Sequence, residues 1–268
     1  MSEGFHWRRA MAVFWKDFLD LRKNRALMWS LLALPAVLVV VPGAVIYSYV
    51  RNPDDPNLRV IATYYEPGLA LNVSAARFLI ERSLTDWFGL FLMMPVFVPI
   101  LISSQAIAGE KERRTLEPLL ASPVTAAELF VGKSLASLVP SVSICFVAFA
   151  LLCAVVDGVV WPFAHELVMP NGMWLFGVVV IAPLFAFFGN GVAVVISARV
   201  SEARLAQQLS GLFVLPLVGL VGGQVAGFLR AGPEYYALQG AVVLLLDVAL
   251  VWVAVRLFDR ERLISRWA

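Results

Sequence analysis

Apolar residues run along this chain in long unbroken stretches, not in the alternation of a sheet or the narrow stripe of a soluble helix. A bilayer core of about 30 Å needs roughly 20 apolar residues per helix. Six stretches qualify: 28–50, 87–108, 134–156, 173–197, 209–229 and 237–258. They predict an all-α membrane protein with six transmembrane helices. The first run does not read as a cleavable signal peptide, because its leader and its apolar run are too long and no small-residue cleavage site follows.

The segment 1–27 has a different pattern. Trp7, Met11, Phe14, Trp15 and Phe18 fall on one helical face, and Arg9, Lys16, Asp20 and Lys23 lie opposite. That pattern predicts an amphipathic helix in the membrane interface rather than a plain basic leader. The chain thus divides into this interfacial helix and a six-span domain over 28–268. The long outer loop is 51–86. It opens on Asn52-Pro53-Asp54-Asp55-Pro56, a turn signal, and a short amphipathic helix is expected over 70–84. Asn72-Val73-Ser74 matches a glycosylation acceptor, to which no role is assigned. No internal repeat or low-complexity stretch is visible.

Composition supports the membrane reading. The chain of 268 residues is 60% hydrophobic and 15% charged, with a mean hydropathy of +0.82. Soluble domains run near 45–50% and about 25%. This excludes a disordered chain, a collagen-like fibre and a disulfide scaffold, and a net charge of +2 gives no nucleic-acid footprint. The placement of the basic residues is more informative. Of 21 Lys and Arg, only Arg51, Arg59, Arg77, Arg82 and Arg230 fall outside if the N-terminus is inside, which leaves 16 inside. Both termini are therefore expected in the cytoplasm. Trp29, Trp87, Trp161 and Trp174 fall where interfacial aromatic belts are expected. Cys145 and Cys153 read as small core residues too far apart to bridge.

The inner loop 109–133 reads Gly-Glu-Lys-Glu-Arg-Arg-Thr-Leu-Glu-Pro-Leu-Leu, then a Ser122-Pro123 turn, then Thr125 with Glu128 three residues on. Glu110 with Arg114 and Arg113 with Glu117 are i,i+4 pairs that extend the second span as a charged helix. Pro118 breaks that rod. Leu116, Leu119 and Leu120 then form a small apolar ridge outside the membrane. Thr125 and Glu128 form a capping box that starts the next helix. These features fit either a docking element for another protein or an ordinary connecting loop.

This loop resembles the inner loop of ABC-2 type permeases, the membrane subunits of ATP-binding-cassette exporters. The matching positions are Glu110, Lys111, Glu112, Thr115-Leu116-Glu117, Leu119-Leu120, Pro123 and Gly132-Lys133. Many members carry glycine where this chain has Arg114. The basic, aromatic start and the closing Arg256-Leu257-Phe258-Asp259-Arg260-Glu261-Arg262 are similar too. The resemblance implies a coupling helix, with Glu110, Glu112, Thr115, Leu116, Glu117, Leu119 and Leu120 engaging a separate cytoplasmic ATPase in two copies. It also implies a second permease subunit, either a copy of this chain or a related paralogue, in a bacterial inner membrane. No cofactor is expected on this chain, and ATP and Mg would sit on the partner. Gly132-Lys133-Ser134 is no phosphate loop, because the required first glycine would stand at Ala127.

Polar residues at membrane depth are the remaining candidates. Asp247, Asn190 and Gln105 are candidates for a substrate pathway, although hydrogen-bonded structural groups are the commoner explanation. Gln224 lies at similar depth, and Asp157 at the outer end of its span. Gly219, Gly223 and Gly227 form a small-residue ridge expected at the subunit interface, because the resemblance places the first and fifth spans there. Internal packing is the alternative. Pro35, Pro42, Pro95, Pro99, Pro140, Pro183 and Pro216 are expected to kink their spans. His6 and His165 lie outside the spans, and no metal-spaced cluster or Ser–His pair suggests an enzyme. The other reading is a secondary transporter or channel with a buried acid at Asp247. The apolar spans favour an amphiphilic cargo.

Overall fold

The computed structural model describes residues 5–70, 74–112, 124–229 and 232–264. Among these there is no strand. Nine helices follow one another: α1 (Trp7–Lys23), α2 (Arg25–Arg51), α3 (Pro56–Tyr65), α4 (Ala75–Glu112), α5 (Ala126–Ala164), α6 (Gly172–Ser197), α7 (Ala203–Leu212), α8 (Leu215–Val225) and α9 (Pro233–Ile264). Five are long and apolar enough to cross a membrane. The bent pair α7–α8 makes a sixth if counted as one span.

The apolar runs became helices as expected, but two of the helices are far longer than the runs. α4 has 38 residues and α5 has 39. At 1.5 Å per residue each is roughly 57 Å long, about twice a bilayer core. From Ala75 on, the separate helix expected over 70–84 is instead the first part of α4. No glycine or proline separates Ala75 from the span, so the helix simply continues. The expected fifth span is two helices bent by 45°, with Pro216 opening the second, where its missing N–H costs nothing. α3 has no counterpart among the predicted elements; Asp55 caps it through Asn57 N at 2.9 Å, with Pro56 at its first turn.

α4 lies at the centre, packed on α2, α3, α5, α6, α7 and α8, whereas α9 packs chiefly on α6. A five-residue π turn, Gly177–Ile181, interrupts α6 just before Pro183. A proline ring would clash with the carbonyl four residues back in a regular turn, and the wider π turn relieves this. Gly177 also makes room for the Phe88 ring, which sits where a Cβ would lie. Trp174 does not belong to an interfacial belt. It is fully buried against Phe88, Phe91 and Phe149, its ring stacked on Phe149 at 6.0 Å. Trp29 and Trp161 are exposed, as belt residues would be.

Cys145 and Cys153 are both free, Cys145 buried and Cys153 half-buried. At the end of the bundle near residue 75, a cavity of about 800 Å³ opens between α2, α4, α5 and α6. Beside it, Asp157 accepts from Val168 N and Met169 N, both at 2.9 Å, and so ties the segment after α5 back to that helix. Gln224 ties the bent α8 inward: its amide donates to Thr85 O at 2.9 Å and its oxygen accepts from Tyr236 Oη at 2.9 Å.

Candidate functional site

The opposite end of the bundle collects the charges. The helix α1 presents two apolar faces there. Ala10, Val13, Phe14 and Leu21 are buried against the bundle. The aromatic stripe lies about a quarter-turn away, with Trp7 and Trp15 exposed. The stripe therefore does not cover the protein core; it is presented sideways, and Phe14 alone serves both faces.

Gly132 lets α1 approach α5. A Cβ at this position would lie 2.5 Å from Ala10 O and 2.7 Å from Val13 Cβ, closer than any side chain tolerates. The next residue, Lys133, is only 4% exposed. Its ammonium contacts Asp17 Oδ2 at 3.1 Å, Glu110 Oε2 at 2.8 Å and Ala106 O at 2.7 Å. Asp17 Oδ2 and Ala106 O accept hydrogen bonds from it, and Glu110 Oε2 adds an ion pair. Lys16 closes the circuit, 3.2 Å from Asp17 Oδ1 and 2.7 Å from Glu110 Oε1. Lys16, Asp17, Lys133 and Glu110 thus form a four-charge ring of zero net charge across α1, α4 and α5. Each carboxylate oxygen serves one lysine.

Burial works against the Lys16 charge, but the hydrogen bond and charge of Glu110 and the charge of Asp17 outweigh it. The ammonium is held above the usual lysine value of 10.5. A raised value means that the Lys16 contribution is fully present below pH 10.5 and is lost only as pH rises through the higher folded value.

The exit of α4 reaches two further elements. Lys111 Nζ donates to Ser197 O at 3.0 Å and Ala198 O at 2.6 Å, which closes the C-terminal end of α6. A cation there also answers the helix dipole. Glu112 Oε2 accepts from Ala203 N at 3.3 Å, at the start of α7. Behind it Ala108, Ala203 and Ala206 pack closely. Three consecutive residues, Glu110, Lys111 and Glu112, therefore hold α1 and α5, α6, and α7 in turn.

The other arm of the loop is anchored as the capping box requires. Thr125 Oγ1 accepts from Glu128 N at 3.3 Å and Glu128 Oε2 accepts from Thr125 N at 2.8 Å. Glu128 Oε1 also accepts from His6 N at 2.6 Å. One carboxylate thereby starts α5 and fixes the start of α1. Between the arms, Arg113, Arg114, Thr115, Leu116, Glu117, Leu119, Leu120 and Pro123 lie outside the described residues.

The structure separates the intramembrane candidates. Gln105 is exposed in a cavity of about 280 Å³ between α1 and α4, beside Asp17, Asp20 and Glu110. Asn190 is buried, and its Oδ1 accepts from Ser103 Oγ at 2.8 Å and Ser137 Oγ at 2.7 Å, joining α4, α5 and α6. Asp247 lines a different cavity with Asn190 and has no hydrogen-bond partner on either oxygen. On α8, Gly219 faces open space, Gly223 lies against Leu229, and Gly227 is past the helix end with φ +80°. The expected three-glycine ridge is thus two residues long.

Asp17 and Lys16 escaped the sequence reading. Lys16 was placed on the solvent face by helical spacing, and no local pattern links it to residue 110. A family model described as ABC-2 family transporter protein matches residues 11–257. No curated protein matches the chain.

Proposed function

The chain belongs to the ABC-2 transporter family, and from that premise we propose that it is the membrane subunit of an ATP-driven exporter, coupled through loop 109–133 to a separate ATPase. It is a multi-pass permease component of an ABC transporter, a family that generally works with a cytoplasmic ABC ATPase. The observation that carries the coupling reading is the Glu110-Lys111-Glu112 stem. Force applied to the loop reaches four elements at once through it. Thr115, Leu116, Glu117, Leu119 and Leu120 make the contact with the ATPase, and Glu110 and Glu112 hold the stem beneath them.

In this reading two ATPase copies bind ATP with Mg, and two permeases pair, as identical chains or as paralogues. The loop and both termini face the cytoplasm of a bacterial inner membrane, in line with the 16 basic residues on that side. α1 lies in the interface, with Trp7 and Trp15 toward lipid and the ring toward protein. Asp247, without a partner in its cavity, is the observation that favours a secondary transporter or channel as the second reading.

Glu117→Lys tests the coupling. The variant is expected to fold, to lose co-purification of the ATPase and to lower transport at least tenfold. Wild-type ATPase binding and transport would remove the loop from the coupling role.

A further inference from the structure

Asp247 is 7% exposed and neither of its oxygens has a hydrogen-bond partner. It lines a cavity of about 170 Å³ between α5, α6 and α9. One water needs only ~10–15 Å³ of such space, so there is room for a ligand of several heavy atoms. The cavity is not built for water. Of its lining residues only Ser134, Asn190 and Asp247 are polar, and the rest are apolar or glycine, among them Phe130, Leu135, Leu138, Phe187, Leu250 and Val251. A water cluster needs two to four polar partners per molecule, which these walls do not supply.

The three polar groups are differently engaged. Asn190 Oδ1 is already taken by Ser103 and Ser137. Ser134 Oγ is buried and has no partner. Asp247 is the only ionisable residue among those lining the cavity. A carboxylate buried without a partner is very costly, and a ligand that supplies a positive donor removes that cost. An apolar cavity with one acid at its wall matches an amphiphilic cation: hydrocarbon on the walls, ammonium on the acid.

We propose that the α5–α6–α9 cavity is a binding site for a small lipophilic ammonium compound, with Asp247 as its counter-ion and Ser134 Oγ as an acceptor for a second ammonium proton. The proposal rests on the permease reading only for its role, that of naming the cargo class; the binding itself does not require the ATPase. The same chemistry occurs in a free organic amine and in an aminophospholipid headgroup.

The test is equilibrium binding of radiolabelled benzylammonium to the full chain in phosphatidylglycerol nanodiscs, without ATPase. Saturable binding of one equivalent per chain is expected, not displaced by benzyl alcohol. Asp247→Asn, which keeps size and polarity, should weaken it at least tenfold at unchanged melting temperature, and Ser134→Ala should weaken it severalfold. Absence of saturable binding, equal displacement by benzyl alcohol, or wild-type affinity in Asp247→Asn would each overturn the site. Adding phosphatidylethanolamine distinguishes the sources: unchanged binding marks a free amine, and competition marks the lipid headgroup on the same acid. Since no ATPase is present, failure here leaves the permease reading standing, and failure of ATPase docking leaves the cavity standing.

Discussion

Lys133 Nζ lies 2.8 Å from Glu110 Oε2, and the two residues stand on opposite arms of one loop. Their pairing closes the base of the loop, and Asp17 and Lys16 extend the closure to α1. Buried ion pairs contribute little net stability when intact, but removing one partner leaves an uncompensated charge. Lys133→Met leaves Asp17 and Glu110 sharing the half-exposed Lys16 alone, so the ring carries one uncompensated negative charge. The substitution should cost about 3–5 kcal/mol, read as a lower midpoint in denaturant titration of the detergent-solubilised chain. Lys133→Met combined with Glu110→Gln should recover part of the loss. A single variant as stable as wild type would show that the ring is incidental.

The close approach of α1 to α5 depends on Gly132. Gly132→Val places a branched side chain where Ala10 O already stands 2.5 Å from the Cβ position. The chain should still insert, since the spans keep their apolar runs, but α1 should lift from the bundle. Spin labels at Ala12 and Leu135 should report a longer and broader distance distribution by pulsed electron resonance. An unchanged distribution would mean that α1 is held by the ring and Glu128 alone.

The spans were legible because length and hydropathy are local properties of the chain, and so was the Thr125–Glu128 capping box, whose partners are three residues apart. What stayed hidden required partners far apart in sequence. Lys16 and Glu110 are separated by 94 positions, and nothing along the chain marks Lys16 for a buried partner. The same applies to Trp174, whose position at a span end suggests an interface but whose ring is packed by Phe88, Phe91 and Phe149 from α4 and α5. The break between α7 and α8 was announced only by Pro216, a residue type that other spans here carry without breaking: α2 runs continuously through Pro35 and Pro42.

The proposed orientation rests on the basic residues alone and can be checked independently of the packing. Single cysteines at Ser2 and Ser122, in a chain without Cys145 and Cys153, should resist a membrane-impermeant maleimide added to intact cells. They should react once the membrane is opened. A cysteine at Asn57, in α3, should react in both conditions. Labelling of Ser122 from outside would reverse the topology and take the coupling assignment with it.

The final prediction concerns subunit pairing on α8. Gly219 and Gly223 are one helical turn apart, but their surroundings differ. A Cβ at Gly223 would meet Leu229 Cδ1 at 3.2 Å, so this glycine is already used within the chain, while nothing lies within 4 Å of a Cβ at Gly219. Small residues on an outward helix face allow two backbones to approach closely, so of these two glycines Gly219 is the one open to the proposed second subunit. Gly219→Leu should cut the yield of crosslinked permease pairs at least fivefold with no change in the melting of the single chain, and Gly219→Ala should be tolerated. Gly223→Leu should instead lower the melting temperature, because the larger side chain displaces Leu229. If Gly219→Leu leaves crosslinking intact, the pairing surface lies elsewhere, and the exposed Leu244, Leu245 and Val248 face of α9 is the next one to probe.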